Sequence, residues 1–65
     1  MNRKELLEKA LEISQEAEKL TELLNRYLKN EDEELYYRVR ELSRKISTDL
    51  ETWRYQFRKT FERSS

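Results

Sequence analysis

The side chains here that could do chemistry are hydroxyls, carboxylates and guanidiniums. The hydroxyl candidates for a nucleophile are Ser14, Ser43, Ser47 and Thr48. A serine or threonine hydroxyl is a poor nucleophile until a base removes its proton, and that base is most often histidine. The 65 residues contain no histidine and no cysteine, so neither a Ser/His/Asp nor a Cys/His constellation can be assembled. Glu12, Glu16 and Glu18 bring carboxylates together, but helical bundles that bind two metals also use Glu-x-x-His pairs. Structural zinc needs cysteine or histidine ligands. A phosphate-cradling loop needs glycine, which is absent too. The three glutamates read as a solvated face, and no carboxylate pair is marked for acid–base work. The expectation is a chain with no catalytic residue, no metal and no cofactor.

A second group of residues could bind rather than react. Six of the seven aromatic residues lie at or after residue 36. Trp53, Tyr55, Phe57 and Phe61 are interleaved with Arg54, Arg58, Lys59 and Arg63. Tyr36 and Tyr37 cannot both face one helical core, so at least one is expected to be half exposed. The aromatic end has three readings. Trp53, Phe57 and Phe61 could cap the open end of a bundle core. Tyr37, Arg54, Tyr55 and Arg58 could form a partner surface, since Trp, Tyr and Arg dominate binding hot spots. Arg38, Arg44, Arg54 and Arg58 could bind nucleic acid beside stacking rings. The balance of 14 basic and 14 acidic side chains weighs against the third reading.

These residues must be positioned by helices. With no glycine and no proline, the usual turn formers and helix breakers are missing. In the first half, Leu6, Ala10, Ile13, Ala17, Leu20, Leu24 and Tyr27 alternate spacings of four and three, a heptad seam. Leu7, Leu11, Leu23 and Leu28 widen it beyond what a two-stranded coiled coil needs. In the second half, Leu35, Val39, Leu42, Ile46, Leu50, Trp53, Phe57 and Phe61 are spaced 4, 3, 4, 4, 3, 4, 4. That is nearer an 11-residue repeat, which favours a straighter helix. The mismatch between the halves is expected to be absorbed near Ser47, Thr48 and Asp49.

The break between the halves is Lys29-Asn30-Glu31-Asp32-Glu33. Asn30 can end the first helix in a left-handed conformation, and Asn30 or Asp32 can cap the second. Asn2 with Glu5, and Asn30 with Glu33, resemble capping boxes. The reading is a helix over about 3–29, a turn at about 30–31 and a helix over about 32–63. So short a connection makes the helices antiparallel neighbours. A rival parse breaks the second helix at Ser47-Thr48, with Thr48 and Glu51 as another capping box, and gives a three-helix mini-bundle.

Charge is sorted along the chain. Residues 1–34 carry six basic and ten acidic side chains, a net −4, and residues 35–65 carry eight and four, a net +4. Facing residues in a hairpin turning near residue 30 sum to about 61. That register puts Glu22 near Arg38 and Arg40, Glu18 near Arg44, and Glu5 and Glu8 near Arg54 and Arg58. Within helices, Glu5–Lys9, Glu22–Arg26, Glu34–Arg38 and Glu41–Lys45 have the favourable i, i+4 order. The same register leaves Phe61 without an intrachain neighbour.

In length and architecture the chain resembles the helical hairpins of plasmid copy-number regulators, which dimerise into four-helix bundles and bind paired RNA loops. It also resembles the small hairpin regulators of sporulation phosphorelays, whose second helix carries Ser-x-x-Leu-Asp. Ser43-Arg44-Lys45-Ile46-Ser47 keeps the serine and an aliphatic residue but has Ser47 in place of the aspartate, so that activity does not transfer. The capping boxes, heptad seam, ordered ion pairs and charge sorting together look like a computationally designed helical hairpin or mini-bundle.

The whole chain, residues 1–65, is thus expected to be one all-α domain, an antiparallel helical hairpin that self-associates into a four-helix bundle. The expected association interface is Leu6, Ala10, Ile13, Ala17, Leu20, Leu24 and Tyr27 with Leu35, Val39, Leu42, Ile46, Leu50, Trp53, Phe57 and Phe61. The expected partner is a second copy or another helical protein rather than nucleic acid. No apolar run approaches the roughly 18 residues of a membrane span, and the first residues lack a signal-peptide pattern. A cytoplasmic location is the expectation.

Overall fold

The computed structural model describes residues 2–62. Two helices make up the described chain: α1, Arg3–Asn30, and α2, Glu33–Phe61. They pack against each other as a hairpin. The molecule measures 52 × 18 × 13 Å, with a radius of gyration of 15.3 Å. A compact chain of this length would have a radius near 11 Å, so the hairpin is a rod rather than a ball. The expected helix end near residue 63 lies outside the described residues.

Both helices begin at side-chain caps. Asn2 is extended, and its Oδ1 accepts from the Glu5 backbone N–H at 2.8 Å. Asp32 caps α2 by accepting from the Glu34 N–H at 2.8 Å. Each cap satisfies one of the four donors that a helix start leaves open. Glu33 and Glu34 add negative charge in the first turn of α2, where the helix dipole favours it.

The turn differs from expectation in one residue. Asn30 stays helical, and Glu31 takes the left-handed conformation at φ 44°, ψ 40°. The Glu31 N–H donates to the Tyr27 carbonyl and closes α1. Left-handed backbone is disfavoured for any residue with a Cβ. The chain adopts it here because no glycine is available and two residues must reverse direction.

α2 runs unbroken through Ser47 and Thr48, so the three-helix parse does not hold. Without a proline or glycine, nothing interrupts the hydrogen-bond ladder there. The register is close to the expected sum of 61. Trp53 meets Leu6, Lys45 meets Glu16, Tyr27 meets Tyr36 and Arg3 meets Phe61. Phe61 therefore does have an intrachain neighbour: the Arg3 guanidinium lies 5.3 Å above its ring.

The buried seam is narrow. Leu6, Ile13 and Leu35 are the buried apolar residues. The half-buried positions on α2 are Val39, Leu42, Ile46, Asp49, Trp53, Gln56 and Thr60. Together with Leu35 they keep a strict 4, 3 alternation. The apparent 11-residue drift of α2 is thus not how the helix packs. The seam stays heptad by passing through polar Asp49, Gln56 and Thr60, and it leaves Leu50, Phe57 and Phe61 outside.

Candidate association surface

Seven-residue spacing sorts the flanks of the seam into two faces. The front carries Arg3, Ala10, Ala17 and Leu24 on α1, and Tyr36, Ser43, Leu50 and Phe57 on α2. The back carries Glu5, Glu12, Lys19 and Arg26 on α1, and Arg38, Lys45, Thr52 and Lys59 on α2. One of the eight front positions is charged, against seven of the eight on the back. An open groove on the back is lined by Lys19, Arg26, Arg38 and Lys45, which places these residues of both helices on one side.

The structure divides the expected interface residues accordingly. On α1, Leu6 and Ile13 are buried, and Ala10, Leu20 and Tyr27 are half-buried; on α2, Leu35 is buried, and Val39, Leu42, Ile46 and Trp53 are half-buried. Ala17 is exposed, and Leu24, Leu50, Phe57 and Phe61 each retain 42–43% exposure. These five do not join the hairpin seam, because two helices in contact cover only one stripe of each. Leu23, Lys9 and Glu16 occupy the α1 seam flank instead. Strict heptad spacing from Leu6 and Ile13 was the signal for them, hidden at Lys9 and Glu16 by their polarity.

The front face continues outward. Leu7, Leu28 and Tyr36 expose 64%, 68% and 47%. On the α2 side an aromatic ladder runs along the helix: the Trp53 and Phe57 rings stack at 5.4 Å, and Phe57 and Phe61 lie 5.1 Å apart. At the turn end, Tyr27 and Tyr36 are 6.0 Å apart. Trp53 anchors the ladder, since its Nε1–H donates to the Leu6 carbonyl across the hairpin at 2.9 Å.

The proposed partner surface of Tyr37, Arg54, Tyr55 and Arg58 does not form one patch. Tyr37 and Tyr55 are both exposed, but 18 helical residues separate them by about 27 Å. Arg54 and Arg58 belong with Arg40 and Arg44 to one stripe on the outer side of α2. None of these four arginines makes an ion pair among the described residues. Arg38 is held instead by Glu34 at 2.9 Å, as the i, i+4 order predicts.

Across the helices, the ion pair among the described residues is Lys45 with Glu16. Lys45 also reaches Asp49 at 3.1 Å. The expected cross-helix pairs of Glu22, Glu18, Glu5 and Glu8 with arginines are not formed. One cause is that α1 itself is neutral, with six basic and six acidic side chains; the surplus acids of the first half sit at 31–34. The Glu16 and Asp49 hydrogen bonds hold the Lys45 ammonium above its usual range. The Lys45 hydrogen bond holds the Asp49 carboxyl below its usual range.

The hydroxyls considered as nucleophiles have structural surroundings. Ser43 donates to the Arg40 carbonyl at 2.8 Å, and Ser14, Ser47 and Thr48 are exposed on helix surfaces. Among the described residues no cluster of three acidic side chains could hold a metal ion, and no helix is long and apolar enough to cross a membrane. No family model, curated protein or solved structure matches the chain.

Proposed function

We propose that this chain is a non-enzymatic association module whose front face docks against another helical surface, most simply that of a second copy. The observation that carries the reading is a front face with one charged position in eight on a chain that is 43% charged. Contiguous exposed apolar surface of this kind marks an interaction site. Surface area supports it. The hairpin exposes 5796 Å², whereas a globular chain of its mass would expose about 4,500 Å². The excess of roughly 1,300 Å² is more than the about 800 Å² per partner of a standard interface. Two hairpins stacked front to front would make a four-helix bundle with a central apolar layer.

Light scattering over a concentration series, with helicity followed alongside, tests the reading. The expected result is a mass of two chains, twice 8.1 kDa, with helicity lost on dilution. A helical monomer at every concentration would overturn self-association.

The unpaired stripe of Arg40, Arg44, Arg54 and Arg58 favours a second reading, a small nucleic-acid-binding hairpin. Binding to RNA or DNA that falls steeply with added salt would support it. Salt-insensitive association between protein chains supports the first.

A further inference from the structure

Resting on that reading, we propose that the second copy is turned about a two-fold axis parallel to the helices, so that α1 of each copy lies on α2 of the other. Two closed arrangements can pair the front faces. An axis along the helices puts α1 on α2. An axis across them puts α1 on α1 and α2 on α2. Both keep every neighbouring pair antiparallel, so side-chain size and charge must choose between them.

Size chooses the first. The middle of the front face of α1 is small, with Ala10 and Ala17, whereas α2 presents Tyr36, Leu50 and Phe57 around one small residue, Ser43. Two small faces together would leave a void, and two bulky faces would clash. A rotation about the helix direction also preserves height along the rod. The facing pairs on either side of Leu50 sum to 59 and 61, so Leu50 then comes onto Ala10 of the other copy. Phe57 comes level with the first two turns of α1, between Arg3 and Leu7, and Tyr36 comes within about one turn of Leu24. Leu50 and Tyr36 thus meet a small or an aliphatic neighbour, and the Phe57 ring meets the Arg3 stem.

Charge chooses the same arrangement. With α2 on α2, the two arginine stripes on the outer sides of the helices would run alongside each other. With α1 on α2, Arg44 comes level with Glu18 of the other chain, and α1 as a whole is neutral. Like charges set against each other are an established way of excluding a wrong pairing.

The test uses two full-length variants, Ser14→Cys and Ser47→Cys, one of them isotope-labelled. Both positions are exposed beside the front face at nearly the same height, and the chain has no other cysteine. The variants are mixed, oxidised and weighed by mass spectrometry, with the mass of the unoxidised mixture measured in solution. The expected result is a mixed-label disulfide dimer in about tenfold excess over both same-label dimers, the ratio that 1.4 kcal/mol of preference gives. A solution dimer with mainly same-label links, or with none, overturns the arrangement and leaves self-association standing. A solution monomer with no link overturns self-association, and the arrangement falls with it.

Discussion

The front and back of the hairpin flank the same seam, are built from the same two helices and differ in almost every side chain. The back is charged at seven of eight positions and the front at one. The back carries the cross-helix ion pair of Lys45 with Glu16. The front carries exposed Leu24, Leu50 and Phe57. A lone hairpin in water gains nothing from an apolar front, and in the proposed function this is the side that faces a partner. It also explains the thin core. Small chains bury too little to be secure alone, and this one has three buried apolar residues among the described ones.

The largest expected effect breaks the contrast by making the front resemble the back. Leu50→Glu should abolish association, because burying a leucine contributes about 1.5–3 kcal/mol and a symmetric dimer loses it twice. Light scattering should show one chain at concentrations where the parent shows two. Thr52→Glu on the back, two residues away, should leave the mass unchanged and move stability by no more than about 0.5 kcal/mol. If both variants dissociate equally, the two faces are not functionally distinct.

Next in size is the bridge between the aromatic ladder and α1. Trp53→Phe removes the hydrogen bond to the Leu6 carbonyl while keeping a ring in the stack. Urea denaturation should show a loss of about 1 kcal/mol. A loss of several kcal/mol would mean that the indole fills volume the ring of phenylalanine cannot.

Much of the hairpin was legible because its strongest signals are local. Missing glycine and proline, the caps Asn2 and Asp32, and a break within one residue of 31–32 follow from backbone chemistry. Leu6, Ile13, Leu20, Tyr27, Leu35, Val39, Leu42, Ile46 and Trp53 were legible from periodicity. What misled on α2 was placing Leu50, Phe57 and Phe61 in the same seam as Leu35, Val39, Leu42, Ile46 and Trp53. Leu50, Phe57 and Phe61 are one or four positions along from seam residues. Counting them as core produced an 11-residue drift that the helix does not have. The true seam passes through Lys9, Glu16, Asp49, Gln56 and Thr60, where long stems pack and polar ends reach water. Hydrophobicity alone does not separate the apolar residues that the two helices cover in each other from those they leave exposed.

A smaller effect concerns the turn that sets both faces. Glu31 holds a left-handed backbone that glycine adopts freely. Glu31→Gly should therefore raise stability by about 1 kcal/mol, the cost of a Cβ in that conformation. Thermal unfolding at fixed concentration reads it. Lower stability in this variant would mean that the glutamate side chain contributes more than the backbone costs.

The smallest effect belongs to the back, where Lys45 joins Glu16 and Asp49 close to Lys9. The Asp49 carboxyl is held below its ordinary 3.8 by Lys45. Its contribution is therefore complete above about pH 4 and is lost as pH falls through the lowered folded value. Lys45 is held above its ordinary 10.5 by Glu16 and Asp49. Its contribution is complete below that value and is lost as pH rises through the higher folded one. Stability should be flat between these limits, with a shallow fall at each end that salt diminishes. Lys45→Met should flatten both ends together, because one ammonium serves both carboxylates. A front-face substitution such as Leu50→Ala should lower the plateau without moving its edges. If it shifts the edges instead, the two faces titrate as one, and the division between an apolar docking side and a charged solvent side does not hold.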